Sequence, residues 1–271
     1  MSEENGKEVL FEVTEDHLNT GLRGIPVGTC RTSFVDPKKG VHYCGYPVGD
    51  LADMDPEDVI FLLFEKRLPN RQESQDFRHE LAQRAERLPT GALRVLESLT
   101  PSTGHPMDWL SIGIQALGVA ETTGDIRADG LNLISRMPEL MATIFRLRGG
   151  RGLPEVASEP SRGMVENFVH LLGMEGADAE RMTRTLRVFL VLHMDHGGGN
   201  LSTFTGKAVA SGWASLYASI SSAMNALSGP LHGRANQSCL EFVQRIGTSE
   251  EAEVEAFVRK ELAARRPIYG F

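Results

Sequence analysis

The chain has 271 residues, with 28 Lys and Arg against 36 Asp and Glu, which gives a formal net charge of −8 at pH 7. This acidic balance disfavours a nucleic-acid binder or a protein of anionic membrane surfaces. A hydrophobic content of 41% excludes wholesale disorder, and 28 Gly with 13 Pro exclude a collagen-like or low-complexity chain.

The N-terminal residues 1–20 are predicted to form a tail. Met1 to Glu15 is acidic and polar, and it has neither the apolar core of a signal peptide nor the Arg-rich composition of a transit peptide. Cys30, Cys44 and Cys239 show no CxxC spacing, which indicates neither a disulfide framework nor a zinc ribbon. These features predict a cytoplasmic protein.

The first predicted element is a β-hairpin. Two extended runs, Thr32–Val35 and Val41–Tyr43, flank the turn-forming segment Asp36–Gly40. This is the only convincing β signal in the sequence.

Apolar residues at helical spacing, separated by Gly, Pro, Asp and Ser, predict ten helices after the hairpin. The pattern indicates an all-α fold rather than a βαβ one. The predicted helices are Asp55–Arg67, Ser74–Leu88, Gly91–Leu99, Pro106–Leu117, Gly130–Leu147, Met164–Leu172, Ala179–His193, Leu201–Leu227, His232–Ile246 and Glu250–Arg265.

Two stretches between and within these helices stand out by composition. Arg148–Gly163 is rich in Gly and Pro and reads as a long loop, at which a domain boundary remains open. Ala208–Leu227 is apolar but is crossed by serines, which favours a buried helix over a membrane span. No association with a membrane is therefore predicted.

The segment from His193 to Ser202 is the first candidate for chemistry. The chain leaves a helix in His196-Gly-Gly-Gly-Asn200, and Asn200 is placed to cap the next helix. His193 and His196 could share a helix face and raise the alternative of a metal site, but no third ligand stands at suitable spacing. The glycines also lack the Lys-Ser/Thr of a phosphate loop, and an ordinary helix end stays open.

The second candidate is the segment Gly229–Gln237. A helix ends at Gly229, and His232 is predicted at the N-terminus of the following helix. The positive end of a helix dipole disfavours imidazole protonation, so the side chain would be a neutral hydrogen-bond donor suited to an enol or enolate oxygen. Because Leu201–Leu227 reads as one long helix, periodicity alone leaves the two segments at its opposite ends.

Four ordered segments resemble those of the citrate synthase family. His193–Thr205 resembles its His-x-Asp-His-x-Gly-Gly-Asn-x-Ser segment, and Gly229–Gln237 resembles its Gly-Pro-Leu-His-Gly-x-Ala-Asn segment. Gly45–Ala52 and His105–Gly118 match two further family segments. The resemblance extends over nearly the whole chain from about Leu18 onwards.

The resemblance implies an all-α, citrate synthase-like fold with a short N-terminal hairpin. Residues 21–231 would form the large helical domain, and residues 232–271 only the beginning of the small domain. The implied reaction condenses acetyl-CoA with oxaloacetate and water to give citrate and CoA, with no metal and no cofactor. A homodimer paired through large-domain helices is also implied.

Individual roles follow from the same resemblance. His232 would hydrogen-bond the thioester carbonyl while an aspartate removes a methyl proton. Ser202 would orient this histidine, and His196 with Asn200 would contact oxaloacetate. A 2-methylcitrate synthase acting on propionyl-CoA is an alternative within the family.

The C-terminus departs from the family pattern. In the family, a segment like Ile268–Phe271 continues into Gly-His-Arg, and the catalytic aspartate comes later. We therefore expect the chain to be a fragment whose isolated form lacks activity. A catalytically silent or split subunit that needs a partner chain is the alternative from a different functional class.

Overall fold

The structure is a computed structural model that describes residues 9, 11–19, 25, 27–85, 87–99, 104–197, 199–229, 232–266 and 268. Helices dominate the described residues. They are α1 (Val48–Leu51), α2 (Pro56–Glu65), α3 (Arg71–Arg84), α4 (Thr90–Glu97), α5 (Pro106–Glu121), α6 (Ile126–Arg148), α7 (Met164–Leu171), α8 (Gly176–Leu192), α9 (Leu201–Ser211), α10 (Leu216–Leu227), α11 (Ala235–Ile246) and α12 (Glu251–Ala263). This confirms the predicted all-α fold.

Two smaller points concern the predicted tail and the membrane. A single 3-10 helix, Glu15–Asn19, lies in the tail, whose residues 1–8 are outside the described part. Among the described residues, no helix combines the length and apolar composition required to cross a membrane.

The predicted hairpin is confirmed and gains a third strand. Strands β1 (Ser33–Asp36), β2 (Gly40–Tyr43) and β3 (Tyr46–Pro47) form an antiparallel sheet in that order. The Asp36 carboxylate closes the first turn by accepting the N–H groups of residues 38 and 39 at 2.7 and 2.9 Å. The second turn places residues 44 and 45 at positive φ, which suits a two-residue hairpin loop.

The main core lies between α4, α5, α6 and α10. Its largest fully buried side chains include Leu140 and Tyr217. Glycines on α5 allow the neighbouring helices to approach closely: a Cβ on Gly113 would lie 2.7 Å from Leu140 Cδ1, and one on Gly118 would lie 2.4 Å from Tyr217 Cβ. Real Cβ atoms essentially never show such separations. A side chain at residue 113 would displace the end of Leu140, whereas one at residue 118 would meet a Cβ atom that is fixed to the backbone of α10.

Buried serines join α5 to α10. Ser111 and Ser221 are 5% and 7% exposed, and their hydroxyl oxygens lie 2.9 Å apart. The Ser221 hydroxyl also donates to the Ser111 carbonyl oxygen at 2.9 Å. Their hydrogen bonds are satisfied within the helix pair, which allows these polar groups to be buried.

The predicted single helix Leu201–Leu227 is wrong, because the chain reverses in its middle. Helix α9 ends at Ser211, Trp213 takes a left-handed φ of 63°, and Ser215 caps α10 by accepting the Ala218 N–H at 3.2 Å. The two helices then pack against each other. A Cβ on Gly206 would lie 3.4 Å from Ala223 Cβ, so the small residues let the helices meet as an antiparallel pair.

The breaker-rich segment forms the predicted loop between α6 and α7. Arg146, only 6% exposed, donates to the Leu153 carbonyl oxygen at 3.2 Å and to the Glu155 carboxylate at 2.9 Å. Asn167 of α7 accepts the Glu159 N–H at 2.8 Å and donates back to its carbonyl oxygen at 3.0 Å. These side chains tie the loop to both flanking helices.

The C-terminal helices α11 and α12 form a local pair. The rings of Phe242 and Phe257 meet edge to face at 5.6 Å. Helix α11 begins at Ala235, so the predicted start at His232 is wrong by three residues. Residues 232–234 form a turn that precedes the helix. The domain division at residue 231 stays a prediction.

Candidate active site

The segment after α8 turns His193 away from a shared site with His196. His193 stacks on Phe189 at 4.1 Å, and its Nδ1 lies 2.7 Å from the Phe189 carbonyl oxygen. Among the described residues, no three His, Cys, Asp or Glu side chains converge as metal ligands. His193 therefore belongs to the end of α8 rather than to a histidine pair.

Asp195 fixes the backbone of this segment to the hairpin. Its carboxylate accepts hydrogen bonds from the Thr32 hydroxyl and, at 3.0 Å, from the Gly197 N–H. Its own N–H donates to the hydroxyl of Tyr43 at 3.3 Å, and Tyr43 is fully buried. These contacts leave the His196 side chain exposed, and the described residues offer its ring no hydrogen-bond partner. The ring is free to meet a ligand.

Asn200 caps α9, as its sequence position predicts. Its Oδ1 accepts the Thr203 N–H at 2.8 Å and the Ser202 hydroxyl at 2.7 Å. Its Nδ2 donates to the Gly197 carbonyl oxygen at 3.4 Å. A carboxamide has two N–H donors, so the second is left for a ligand.

The turn that carries His232 returns to the N-terminus of α9. The N–H groups of His232 and Gly233 donate to the carbonyl oxygens of Gly229 and Leu227 at 3.0 and 2.9 Å. His232 Nε2 then lies 3.1 Å from the Ser202 hydroxyl oxygen and 3.3 Å from the Ser202 backbone nitrogen. The structure thus brings His232, Ser202 and Asn200 together, through the reversal between α9 and α10.

The helix end that His232 faces differs from the predicted one. Its ring meets the N-terminus of α9, not of α11, because α11 starts three residues later. The Ser202 hydroxyl can rotate, but the Ser202 backbone N–H is fixed and points at Nε2. This fixed donor is satisfied by a lone pair on Nε2, with the ring proton on Nδ1. The Ser202 hydroxyl already donates to Asn200 Oδ1, and its contact with Nε2 is satisfied by a proton on Nε2. The contacts therefore fit either tautomer of the ring.

The described residues also form a cavity of about 890 Å³ between α7 and α8. It is lined by none of the four predicted site residues, and its walls mix arginines with carboxylates such as Arg184 and Glu180. The hydrogen-bonded group of His232, Ser202 and Asn200 at the start of α9, rather than this cavity, is therefore the candidate active site. Gly198, Pro230 and Leu231 of the two sequence motifs lie outside the described residues.

Sequence reasoning missed the hairpin residues that hold the site. Thr32 and Tyr43 contact Asp195 across 163 and 152 residues of sequence. Neither belongs to a motif, and no local pattern predicts so distant a contact.

Comparison with known proteins identifies the lineage. The family model described as "Citrate synthase, C-terminal domain" matches residues 21–271. Citrate synthase 4, mitochondrial, of Arabidopsis thaliana is 29% identical over all of this chain and 62% of its own length. The mitochondrial 2-methylcitrate synthase of Yarrowia lipolytica is 31% identical over all of this chain and 64% of its own length.

A solved structure agrees with this assignment. The citrate synthase of Thermotoga maritima superposes with a TM-score of 0.79 at 29% identity, covering 93% of this chain and 66% of its own. The chain spans about three fifths of the length of the curated relatives it matches. The chain belongs to the citrate synthase family.

Proposed function

We propose that this protein condenses acetyl-CoA with oxaloacetate and water to form citrate and CoA. The observation that carries the proposal is the contact of His232 with Ser202 at the N-terminus of α9, at 3.1 Å between Nε2 and the hydroxyl oxygen. This contact places the turn that carries His232 against Ser202, which follows the turn that carries His196, and Asn200 is hydrogen-bonded to the same serine.

His232 would supply the proton donor for enol formation. When a methyl proton leaves acetyl-CoA, negative charge develops on the thioester oxygen, and a donor held in place stabilises that charge without reorganising. We infer that His232 carries its ring proton on Nδ1, because the fixed Ser202 N–H then meets a lone pair on Nε2. Ser202 is then a positioning residue. The proposal requires no metal and no cofactor.

His196 and Asn200 would contact oxaloacetate. His196 is exposed, and Asn200 keeps one N–H donor after capping α9. Both belong to the segment that Asp195 anchors to the hairpin. The Asp195 carboxylate already accepts two hydrogen bonds, so we assign it this anchoring role and not that of the base that removes the methyl proton.

Two measurements test the proposal. Calorimetric titration should show oxaloacetate binding that His196→Ala weakens. In the full-length protein, oxaloacetate-dependent consumption of the acetyl-CoA thioester should fall by about 10²- to 10⁴-fold in His232→Ala, the typical contribution of a general acid. A Gly91→Ala variant is a matched control, since no atom lies within 4 Å of the added methyl group. Failure to bind oxaloacetate, or turnover that His232→Ala leaves unchanged, would contradict the proposal.

A second candidate is a 2-methylcitrate synthase. The similarity to the Yarrowia lipolytica enzyme supports it at 31% identity. One methylene in a pocket changes specificity by only about 1–3 kcal/mol, and the same histidines would serve both substrates. Rates of the full-length protein with acetyl-CoA and propionyl-CoA under identical conditions decide between the two.

We also propose that the protein is a cytoplasmic homodimer. Helix α9 has no buried residue, and α8 buries only Val191, while Phe189 and Trp213 are 49% and 96% exposed. Phe189 lies on α8 and Trp213 directly follows α9, and exposed apolar side chains of this kind are suited to pairing with a second copy. Light scattering behind size-exclusion chromatography should give twice the mass of the 29.7 kDa chain, and a monomeric mass would refute the pairing.

A further inference from the structure

A second cavity, of about 460 Å³, lies beside the hairpin and next to the end of α2. We call it the hairpin cavity. Two of the three cysteines of the chain, Cys30 and Cys44, line it together with Lys66. Nothing in the proposed condensation uses these thiols.

Cys30 has the surroundings of a reactive thiolate. It is exposed, and its Sγ lies 3.5 Å from the Thr32 hydroxyl and 3.6 Å from the Ser33 hydroxyl. Partial burial raises the pKa of this thiol, but hydrogen bonds from both hydroxyls and both backbone N–H groups outweigh it and lower the pKa to about 7. The Cys30 thiol is then ionised in about half of the molecules at neutral pH.

Cys44 has the opposite character. Its Sγ lies 3.6 Å from the Thr32 carbonyl oxygen and 3.5 Å from the Leu62 carbonyl oxygen. Burial has the largest effect and raises the pKa of this thiol, and the negative charge of Asp195 raises it further. Lys66 lowers the pKa, and Cys30 raises it by a smaller amount, so the net shift is upward. This thiol stays protonated at neutral pH.

The backbone at Cys44 is unusual for its residue type. Its φ of 49° is followed by 94° at Gly45, so it occupies a left-handed position of a two-residue hairpin turn. Asn, Asp or Gly normally fill that position, because other side chains crowd the backbone there. This backbone places Cys44 in the wall of the cavity that Cys30 also lines.

We propose that Cys30 and Cys44 form a redox pair that takes hydroperoxides, with Cys30 as the attacking thiolate and Cys44 as the resolving thiol. An accessible thiolate beside a protected second thiol is the arrangement of oxidation-sensitive cysteine pairs. Both sulfurs contact one residue, Thr32, and Cys30 precedes the first strand of the hairpin.

The chemistry balances in two steps. The Cys30 thiolate attacks the hydroperoxide, its O–O bond breaks, and an alcohol or water leaves with one proton from solvent while sulfenic acid forms. The Cys44 sulfur then attacks the sulfenic sulfur, the S–O bond breaks, and water leaves with the Cys44 proton as the disulfide forms. The two thiols lose two electrons to the peroxide. An external dithiol then reduces the disulfide back to two thiols and becomes a disulfide itself.

A single residue, Thr32, connects the two cysteines to the candidate active site. Thr32 contacts both sulfurs and also donates its hydroxyl to the Asp195 carboxylate. Disulfide formation would therefore change the contact between Thr32 and Asp195, which holds the segment that carries His196. The redox proposal itself does not depend on the condensation activity and is tested separately.

Peptide mapping after brief treatment with hydrogen peroxide provides the test. Trypsin places Cys30, Cys44 and Cys239 in separate peptides, residues 24–31, 40–66 and 235–245. We expect a peroxide-dependent disulfide between the first two peptides within one chain, with Cys239 still open to alkylation. A disulfide to Cys239, or one that links two chains, would overturn the proposal.

Variants assign the roles of the two thiols. Cys44→Ser should leave Cys30 as a sulfenic acid that dimedone captures, and Cys30→Ser should leave Cys44 unoxidised. In the chain unfolded by urea, roughly 1% of the Cys30 thiol is ionised at pH 7, and in the folded chain the lowered pKa raises this fraction to roughly 50%. The nucleophilicity of the thiolate falls roughly eight-fold as its pKa falls. Cys30 should therefore be alkylated about six times faster in the folded chain than in urea. Oxidation of Cys44 in the Cys30→Ser variant at the original rate, or equal alkylation of Cys30 in both states, refutes the assignment. Cys239→Ser is the matched control.

Discussion

The closest approach of two helices in the core gives a sharp test of the packing that positions His232. A methyl group added at Gly118 would lie 2.4 Å from Tyr217 Cβ and 2.9 Å from its Cγ. Tyr217 is fully buried, and its Cβ is fixed to the backbone of α10, so rotation of the side chain cannot relieve the overlap. Gly118→Ala must therefore push α10 away from α5.

The expected cost follows from two opposing effects. Overpacking of a close-packed core costs about 1–3 kcal/mol, and a contact this short belongs to the upper part of that range. Replacement of glycine by alanine inside a helix returns about 1 kcal/mol. We expect Gly118→Ala to lower the free energy of unfolding by about 1–2 kcal/mol, with a fall in Tm of roughly 2–4 °C per kcal/mol.

Urea unfolding followed by circular dichroism measures the effect. Gly91→Ala is the matched control on α4, because its methyl group meets nothing within 4 Å. This control should be neutral or stabilising by up to about 1 kcal/mol. A Gly118→Ala protein as stable as the Gly91→Ala protein would show that α5 and α10 do not pack as described.

Three further substitutions test individual side chains. Asn200→Ala should destabilise the protein by about 0.5–2 kcal/mol in urea unfolding, because the Thr203 N–H loses its cap; an unchanged midpoint would contradict the capping role. Burial raises the pKa of Asp129, but hydrogen bonds from the neighbouring threonines outweigh it and leave the pKa below its usual value. Asp129→Asn should therefore destabilise the protein at pH 7 by a margin that shrinks as pH falls through the folded pKa of Asp129, and a margin independent of pH would refute this. Burial raises the pKa of Glu139, so the stability that its protonated form contributes is lost as pH rises. The free energy of unfolding of Glu139→Gln should therefore match or exceed that of the parent protein at pH 7. Clear destabilisation of this variant at pH 7 would be contrary evidence.

Local chemistry in the sequence accounts for much of the fold. The hairpin is readable because Asp36 and Gly40 supply the side-chain acceptor and the positive φ that its turn requires. Most helices are readable because apolar periodicity and capping residues act within a few positions along the chain. The third strand has only two residues and is too short to produce a periodic signal.

The break between α9 and α10 shows where such signals fail. A glycine within a small-residue stretch is compatible with a continuous helix, so Gly212 alone does not predict a reversal. The left-handed φ of Trp213 has no sequence signature, and the capping role of Ser215 is visible only once the helix is known to start again. Tertiary packing decides this point.

The candidate site depends on that same break. Asn200 could be assigned as a cap from its position, but the contact of His232 with Ser202 requires the chain to fold back over α9. The pairing of His232 with Ser202 follows from the family resemblance, because the spacing of the two residues in the sequence does not predict it. Thr32 and Tyr43 were missed because their contacts with Asp195 are purely tertiary.

The tautomer of His232 tests the central claim most directly. The claim is that the two histidine turns meet at the start of α9, where the fixed Ser202 N–H occupies Nε2 and leaves Nδ1–H as the donor for an enol oxygen. Long-range 1H–15N correlation spectra of the protein, with His232→Ala to assign the signals, distinguish protonated from unprotonated ring nitrogens. The account predicts a neutral ring of His232 with the proton on Nδ1, and a proton on Nε2 would contradict it.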